Sequence, residues 1–266
     1  MIRAILLATD GFEYGNTAQQ SAITLAGRFR AGITAFGVVD TPWRITPQGK
    51  VEQLDGGRTL VQEALRHLRS AAIADGLVAT SSLVEGDLHD ALSAEAVRND
   101  LVVIGRSTGF RPSLRQGLLD LAIDKLVRDG SRAVLAVRDK PASADRMLVA
   151  FDGSAPASRS LHMAALLGLA RGARVQVLSV NSDGQAAESA ADRAATLLRS
   201  HGANVDAFGI AAESDPAEII LSHAQTFEAD IVVMGAHGHG GLRDMIFGSC
   251  TRRVMAECAT ALLLQH

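Results

Sequence analysis

Cysteine and aromatic residues are scarce in this 266-residue sequence, which has two cysteines, one tryptophan and one tyrosine. Cys250 and Cys258 lie about two turns apart in one predicted helix, which is too far for a disulfide. A secreted domain held by disulfides is therefore excluded, and we expect a reduced, cytoplasmic protein. Because only 4% of the residues are aromatic, the core must consist of Val, Leu, Ile and Ala, which suit close packing of helices on a sheet.

Excess charge and long apolar runs are also missing. The formal net charge is −3, which gives no general attraction for nucleic acid or for an anionic membrane surface. No apolar run approaches the roughly 18 residues that a membrane span needs. The opening residues MIRAILLATD predict a short strand rather than a signal peptide. We therefore expect neither nucleic acid nor a membrane as a partner.

The sequence contains an internal repeat. RAILLATDGF, near the start, returns as RMLVAFDGS, so that Asp10 aligns with Asp152. The later runs DLVVIG and DIVVMG align in the same way, and the polar stretch DKPASADR separates the two copies. A repeat of about 130 residues indicates a duplicated domain rather than a solenoid unit. We predict one domain over residues 1–140 and a second over residues 145–266.

Within each copy, short apolar runs alternate with amphipathic segments. Continuous apolar strands that are joined by helices are typical of a parallel sheet with helices on both faces. The sequence from Asp215 to Glu218, Asp-Pro-Ala-Glu, predicts a helix start with an acidic N-cap and proline at the first helical position. We therefore predict an α/β fold of two tandem Rossmann-like, doubly wound domains, each a five-stranded parallel sheet flanked by helices.

Glycine is concentrated in one stretch, GAHGHGGLRDMIFGS, which begins at Gly235 and follows the apolar run ADIVVM. In doubly wound sheets, ligands bind beyond the carboxyl ends of the strands, where helix N-termini also point. Backbone N–H groups that no side chain obstructs, next to a helix that begins at Gly248 and Ser249, favour a phosphate. The alternative is that these glycines only form turns.

Two common phosphate-binding motifs are absent. No G-x-x-x-x-G-K-[ST] occurs, and no G-x-G-x-x-G follows the first strand of either copy. These absences exclude a P-loop ATPase and a dinucleotide-dependent dehydrogenase.

The spacing Gly235-x2-Gly238-x9-Gly248-Ser249 is similar to the ATP-binding pattern of the universal stress protein family, G-2x-G-9x-G-[S/T]. The segment VAFDGS, which contains Asp152, resembles the opening strand of that family. Both copies resemble it, so the resemblance covers nearly the whole chain as a tandem protein. It implies that the last strands, AVLAV and ALLLQ, pair the two copies as an internal pseudo-dimer. The sequence does not determine whether two chains associate further as a homodimer.

The resemblance also implies a nucleotide site in the second copy, with ATP held with or without Mg²⁺. Near the adenine and the ribose it places residues from the ends of the first two strands, and on the phosphates it places residues of the glycine-rich stretch. The former are Ala150, Phe151, Asp152 and Val180, and the latter are Gly235, His237, Gly238, Gly248, Ser249 and Cys250. Taken alone, Asp152 is a turn or N-cap residue before Ser154, and the resemblance favours the nucleotide instead.

The first copy departs from this pattern. Alignment of LRQGLLDL with LRDMIFGS puts Asp120 where Gly248 stands and Leu121 where Ser249 stands. A carboxylate at that position repels a phosphate, and leucine removes the hydroxyl. Arg106 and Arg111 could attract an anion, but we expect both to be solvated loop residues. We therefore predict that the first site is degenerate.

Other features of the sequence leave alternatives open. His237 and His239 form an H-x-H pair, but we interpret them as polar loop residues and predict no metal site. A thiol at a helix N-terminus, such as Cys250, tends to have a lowered pKa and could be redox-sensitive, although we favour a small residue packed at a crowded helix start. Residues 41–57 have no counterpart of equal length in the second copy. Three interpretations stay open: the segment covers the first-copy cleft, it contacts a partner, or it is a loop that has diverged between the copies.

We therefore predict an ATP-binding, stress-responsive regulator that acts through a protein partner the sequence does not identify. No catalytic base is evident beside the phosphate loop, so hydrolysis should be slow or absent. The alternatives are an adenine-nucleotide hydrolase of the same architecture and a scaffold that binds no nucleotide.

Overall fold

A computed structural model gives the fold and describes residues 1–9, 15–39, 43–45, 51–53, 58–106, 123–128, 132–236 and 248–265. Apart from two short strands that follow the second strand, strands and helices alternate in both halves of the chain. In the first half they are β1 (Ala4–Thr9), α1 (Gly15–Phe29), β2 (Gly32–Val39), β3 (Trp43–Ile45), β4 (Val51–Gln53), α2 (Arg58–Ala74), β5 (Ala79–Glu85), α3 (Leu88–Ala96), β6 (Leu101–Gly105), α4 (123–128) and β7 (Ala133–Val137). In the second half they are β8 (Arg146–Ala150), α5 (Ala155–Leu166), β9 (Arg174–Asn181), α6 (Gly184–Ser200), β10 (Asn204–Ala211), α7 (Pro216–Thr226), β11 (Ile231–Gly235), α8 (Ser249–Glu257) and β12 (Ala261–Gln265).

Ten of these strands form one sheet in the order β10-β9-β8-β11-β12-β7-β6-β1-β2-β5. Neighbouring strands within each half are parallel, and each half has the order of a doubly wound sheet. The predicted fold of two tandem α/β domains is therefore confirmed. In the segment 41–57, β3 and β4 form a separate antiparallel pair.

The two halves meet at the last strand of each. Strand β12 pairs antiparallel with β7, and Leu263 lies opposite Leu135. These two leucines occupy equivalent positions in the two copies, so the pairing is centred on a local two-fold relation between the halves. The internal pairing that the sequence predicted is present, and it removes two edges that would otherwise expose unpaired backbone groups.

Each face of the sheet carries its own apolar core. One core lies under α1, α2, α5 and α6, and the other lies under α3, α4, α7 and α8. Successive residues of a strand point to opposite faces, so that Val149 belongs to the first core and Leu148 to the second. Both cores contain residues from both halves, so the halves pack as one body. Among the described residues, no helix combines the length and apolar character needed to cross a bilayer.

The polar linker between the copies packs against the first half. The backbone N–H of Ala142 donates to the Oγ of Ser21, and both residues are buried. Arg28 of α1 donates to the carbonyl of Ser143 at 2.9 Å and to the carboxylate of Asp145 at 2.8 Å. These contacts attach the start of the second half to α1.

Candidate functional site

The two ends of the glycine-rich stretch lie together at the carboxyl edge of the sheet. The N–H of Gly248 donates to the carbonyl of Ala236 at 3.4 Å, and the Oγ1 of Thr251 donates to the carbonyl of Gly235 at 3.0 Å. Thr251 is buried, so this bond attaches the first turn of α8 firmly to the end of β11. His237 and Gly238, two of the predicted phosphate-binding residues, lie outside the described residues.

Helix α8 begins without a side-chain cap. Its N-cap is Gly248, whose φ of −59° and ψ of 155° are open to any residue, so the glycine is not required by backbone strain. The other three helices described in the second half each have an N-cap side chain that accepts N–H groups of its own first turn. These side chains are Ser154 for α5, Asp183 for α6 and Asp215 for α7. Among the described residues, no side chain therefore caps the first turn of α8, and its positive dipole end can face an anion.

Gly235 has a packing role that needs no ligand. A Cβ at this position would lie 2.6 Å from the backbone nitrogen of Ala157 and 2.9 Å from the carbonyl carbon of Pro156. Only glycine lets the start of α5 approach the end of β11 this closely. This close approach requires glycine at position 235 whether or not a phosphate lies beside it, and it is a role other than the turn that the sequence suggested.

Several half-buried apolar residues at the ends of second-half strands and at the start of α8 pack against the same core, and we call them the apolar surface. Ala150 at the end of β8, Val180 near the end of β9 and Cys250 of α8 are half-buried on the face that carries α7 and α8. Ile210 of β10 joins them and lies opposite Val180 in the β9–β10 pair. Ile210 was not among the predicted site residues, because alternation within a strand does not show which apolar residues of different strands meet.

The side chain of Phe151 points away from this surface. It is 8% exposed and belongs to the core on the opposite face of the sheet. Its backbone N–H donates to the carbonyl of Leu178 at 2.9 Å. Phe151 can therefore contribute to a ligand site at this edge by its backbone position only.

Two carboxylates stand at the rim of the surface. The exposed Asp152 accepts the N–H of Ser154 at 2.9 Å, which is the turn role that the sequence alone favoured. Asp215 caps α7 as predicted, accepting the N–H of Ala217 at 3.0 Å, and it also forms a 2.7 Å ion pair with Arg253 of α8. The Ala217 bond and the Arg253 guanidinium together lower the pKa of the Asp215 carboxyl.

The place of Asp215 and Arg253 at this site was not predicted. The motif at Asp215 indicated a helix start, but nothing in the sequence indicates that this helix begins beside α8. The helix-start motif at Asp215 was the only signal in the sequence, and it carries no information about which residue of another helix Asp215 contacts.

The thiol of Cys250 is deactivated rather than activated. Burial, followed by the nearby carboxylates of Asp215 and Asp152, raises its pKa to about 11. The alternative of a redox-sensitive thiol with a lowered pKa at Cys250 is therefore wrong, because burial and the two nearby carboxylates both disfavour the thiolate. The favoured interpretation, a small residue packed at the start of a helix, agrees with its half-buried position.

The expectation that Arg106 is a solvated loop residue is also wrong. Arg106 is 1% exposed, and it lies at the seam between the halves. Its guanidinium donates to four carbonyl oxygens, those of Ala136, Met255, Cys258 and Thr260. The other first-copy residues that the degenerate site was predicted from, Asp120, Leu121 and Arg111, lie outside the described residues.

In the part of the chain that the structure describes, the one group with metal-ligand geometry is Asp87, His89 and Asp90. Asp87 and Asp90 are exposed, and the Asp87 carboxylate accepts the Asp90 N–H at 3.0 Å as the N-cap of α3. The group is thus explained as a helix start. His239, the second member of the H-x-H pair, lies outside the described residues.

Comparison with protein families finds the model described as the universal stress protein family twice in this chain, over residues 1–138 and 144–265. A universal stress protein of Synechocystis sp. (strain PCC 6803) is 23% identical over 166 residues, which are 62% of this chain and 57% of that protein. The stress response protein NhaX of Bacillus subtilis is 36% identical over 52 residues, 20% of this chain and 31% of that protein. The matches thus span little more than half of one curated relative and under a third of the other.

Two solved structures resemble the whole chain in fold. A universal stress protein of Archaeoglobus fulgidus DSM 4304 has a TM-score of 0.72 at 20% identity, over 98% of this chain and 95% of that one. A functionally unknown protein of Pseudomonas aeruginosa PAO1 has a TM-score of 0.61 at 19% identity, over 99% of this chain and 92% of that one. At these identities the likeness concerns the fold alone.

Proposed function

We propose that this chain, which belongs to the universal stress protein family, is a stress-responsive regulator that binds ATP, with or without Mg²⁺, in its second half. The observation that carries the proposal is the start of α8, which has no side-chain cap and adjoins a half-buried apolar surface at the carboxyl edge of the sheet. In doubly wound folds, this edge is where ligands bind.

In this proposal the apolar surface receives the adenine and the start of α8 receives the phosphates. Ala150 and Val180 lie under the base, together with Ile210, and the first-turn N–H groups of α8 and the Ser249 hydroxyl hold the phosphates. His237 and Gly238 follow Gly235 along the chain, and their assignment to the phosphates rests on the sequence pattern alone.

The charges at the rim suit a nucleotide of this orientation. The carboxylate of Asp215 is paired with Arg253 at 2.7 Å, which reduces its repulsion of a phosphate bound nearby. Asp152 is exposed and keeps a carboxylate at the rim, where it can accept hydrogen bonds from ribose hydroxyls, as acidic residues do in other nucleotide-binding sheets. This assignment leaves Cys250 as a small neutral thiol in the floor of the site.

We further propose that one chain binds one nucleotide, within the domain over residues 145–266. In the domain over residues 1–140, Asp120 and Leu121 replace the glycine and the serine that begin α8. Aspartate at that position puts a negative charge where a phosphate would bind.

The test is to purify the protein, denature it and identify any released nucleotide by chromatography. Gly248→Asp copies the first-half residue into the second half, and Gly27→Asp makes the same charge change on an exposed position of α1 where nothing lies within 4 Å of the new Cβ. We expect about one equivalent of ATP or ADP per chain, lost in Gly248→Asp and kept in Gly27→Asp. Two equivalents would contradict the single site. No nucleotide, and no thermal shift with millimolar Mg-ATP, would favour the scaffold.

Hydrolysis of the bound nucleotide is expected to be slow or absent. The two carboxylates described at the rim are engaged, Asp152 with the N–H of Ser154 and Asp215 with Arg253. Phosphate release measured over hours separates this expectation from a hydrolase, which would turn over many times and lose that turnover in Asp152→Asn or His237→Ala while still binding ATP.

A further inference from the structure

The last turn of α8 is held by arginines of the other half of the chain. Arg106, which follows β6, donates to the carbonyls of Met255, Cys258 and Thr260, the last two at 2.5 and 2.8 Å. Arg138, which follows β7, donates to the carbonyl of Ala256 at 2.6 Å. The last four carbonyls of a helix lack partners within the helix, so these two side chains satisfy groups that α8 leaves open.

At the position of Arg106, and within the described residues, the contact is one-sided. The second-half residue equivalent to Arg106 is Ala236, since each follows the glycine that ends the fourth strand of its copy. Alanine has no donor with which to reach the first-half helix α4. The two copies therefore differ in complementary ways. The first half, whose phosphate site is predicted to be degenerate, supplies the arginines, and the second half supplies α8, whose last carbonyls accept their hydrogen bonds.

Helix α8 is short enough that contacts at its C-terminal end affect the position of its N-terminal end. Its nine residues span about 13 Å, and helices of that length are marginal without tertiary contacts. Its first turn is attached to β11 through Thr251, and its last turn depends on Arg106 and Arg138. A positive charge at the helix C-terminus also stabilises the helix dipole.

We propose that Arg106 and Arg138 are positioning residues for the nucleotide site, through which the first half sets the phosphate affinity of the second. This inference rests on the proposed function, because it concerns the same site. Neither arginine touches the ligand. Both act by holding the last turn of α8, so that the N–H groups of its first turn stay directed at the phosphates.

The experiment measures the dissociation constants of ATP and of adenosine by calorimetry for the full chain. The variants are Arg138→Met, Arg106→Lys and Arg106→Met. The matched control is Arg132→Met, because Arg132 also donates to helix-end carbonyls, those of Val97 and Asn99, but within the first half. In the proposed site, the affinity for adenosine depends on the apolar surface alone, whereas the affinity for ATP also depends on the start of α8.

We expect the variants at 106 and 138 to raise the ATP dissociation constant by at least about fivefold, the lower end of measured couplings between sites. The adenosine constant should stay within about twofold of wild type, and the Arg132→Met control should change neither. If Arg106→Met does not fold, the other two variants carry the test. Arg106→Lys keeps the positive charge, and Arg138→Met removes the more exposed of the two arginines.

Two results would overturn the inference while leaving the proposed function intact. One is an unchanged ATP affinity in folded Arg138→Met and Arg106→Lys. The other is an equal loss of ATP and adenosine, which would indicate general destabilisation. A wild-type protein that binds neither ligand would overturn the proposed function and this inference together, and it is distinguished by the wild-type titration alone.

Discussion

Arg253 of α8 donates a hydrogen bond of 2.7 Å to Asp215, the N-cap of α7, across 38 residues of chain. The same carboxylate accepts the N–H of Ala217 at 3.0 Å. A single side chain therefore begins one helix and fixes the middle of the next. Because α8 starts at the proposed phosphate site, this pair joins the stability of the fold to the geometry of the site.

The two bonds of Asp215 can be separated by substitution. Asp215→Ala removes both and should lower the free energy of unfolding by about 1 kcal/mol, the usual loss for an N-cap. Asp215→Asn keeps a good N-cap and loses only the charge of an exposed pair, so it should cost clearly less than Asp215→Ala. Urea unfolding followed by circular dichroism measures both. If Asp215→Asn and Asp215→Ala lowered the free energy of unfolding equally, the ion pair and not the N-cap would be the stabilising interaction.

The stability that Asp215 adds should depend on pH. Its carboxyl pKa is lowered in the folded state, first by the Ala217 N–H and then by Arg253. A lowered folded pKa means that the stabilisation is fully present above the unfolded value of about 4 and is lost as the pH falls through the folded pKa. The difference in unfolding free energy between wild type and Asp215→Ala should thus be constant above pH 5 and shrink below pH 4. A difference that grows on acidification would contradict this sign.

Cys250 should react slowly with thiol reagents. With a pKa of about 11, its thiolate fraction at pH 7.5 is roughly 300-fold below that of an ordinary cysteine, whose pKa is about 8.5. Iodoacetamide labelling of the native Cys258→Ser variant, read by mass spectrometry, measures this rate. Adding Asp152→Asn removes a carboxylate that raises the pKa, so labelling should become faster. Labelling of Cys250 at the rate of free cysteine would contradict the pKa.

Glycine-to-alanine changes should have opposite effects at two positions. Gly235→Ala puts a Cβ 2.6 Å from the backbone nitrogen of Ala157, and overpacking of this kind costs about 1–3 kcal/mol. Gly27 lies in α1 with nothing within 4 Å of a new Cβ, so Gly27→Ala should stabilise by about 0.5–1 kcal/mol through helix propensity. Thermal unfolding of the two variants measures both. A neutral Gly235→Ala would show that α5 can move away from β11.

Prediction from the sequence succeeded where the signal is local. The helix start at Asp215 is set by residues within three positions and is present in the structure. The turn role that the sequence alone favoured for Asp152 is also present, whereas its predicted contact with a nucleotide stays a prediction. Prediction failed for Arg106 and left two interpretations of Cys250 open, because the environment of each residue depends on groups far away in the chain. Burial and two carboxylates determine the thiol, and carbonyls of the other half determine the arginine.

The sequence by itself determined the duplication and the parallel α/β architecture of each copy, and it predicted a nucleotide site at the end of the fourth strand. These follow from repeats, from the alternation of apolar runs and from glycine spacing, which are written along the chain. Only the tertiary structure decided that Arg106 is buried against Cys258, 152 residues away, and that Asp215 pairs with Arg253. Such contacts arise when the sheet brings distant strand ends and helix ends together, and neither partner's local sequence specifies the other.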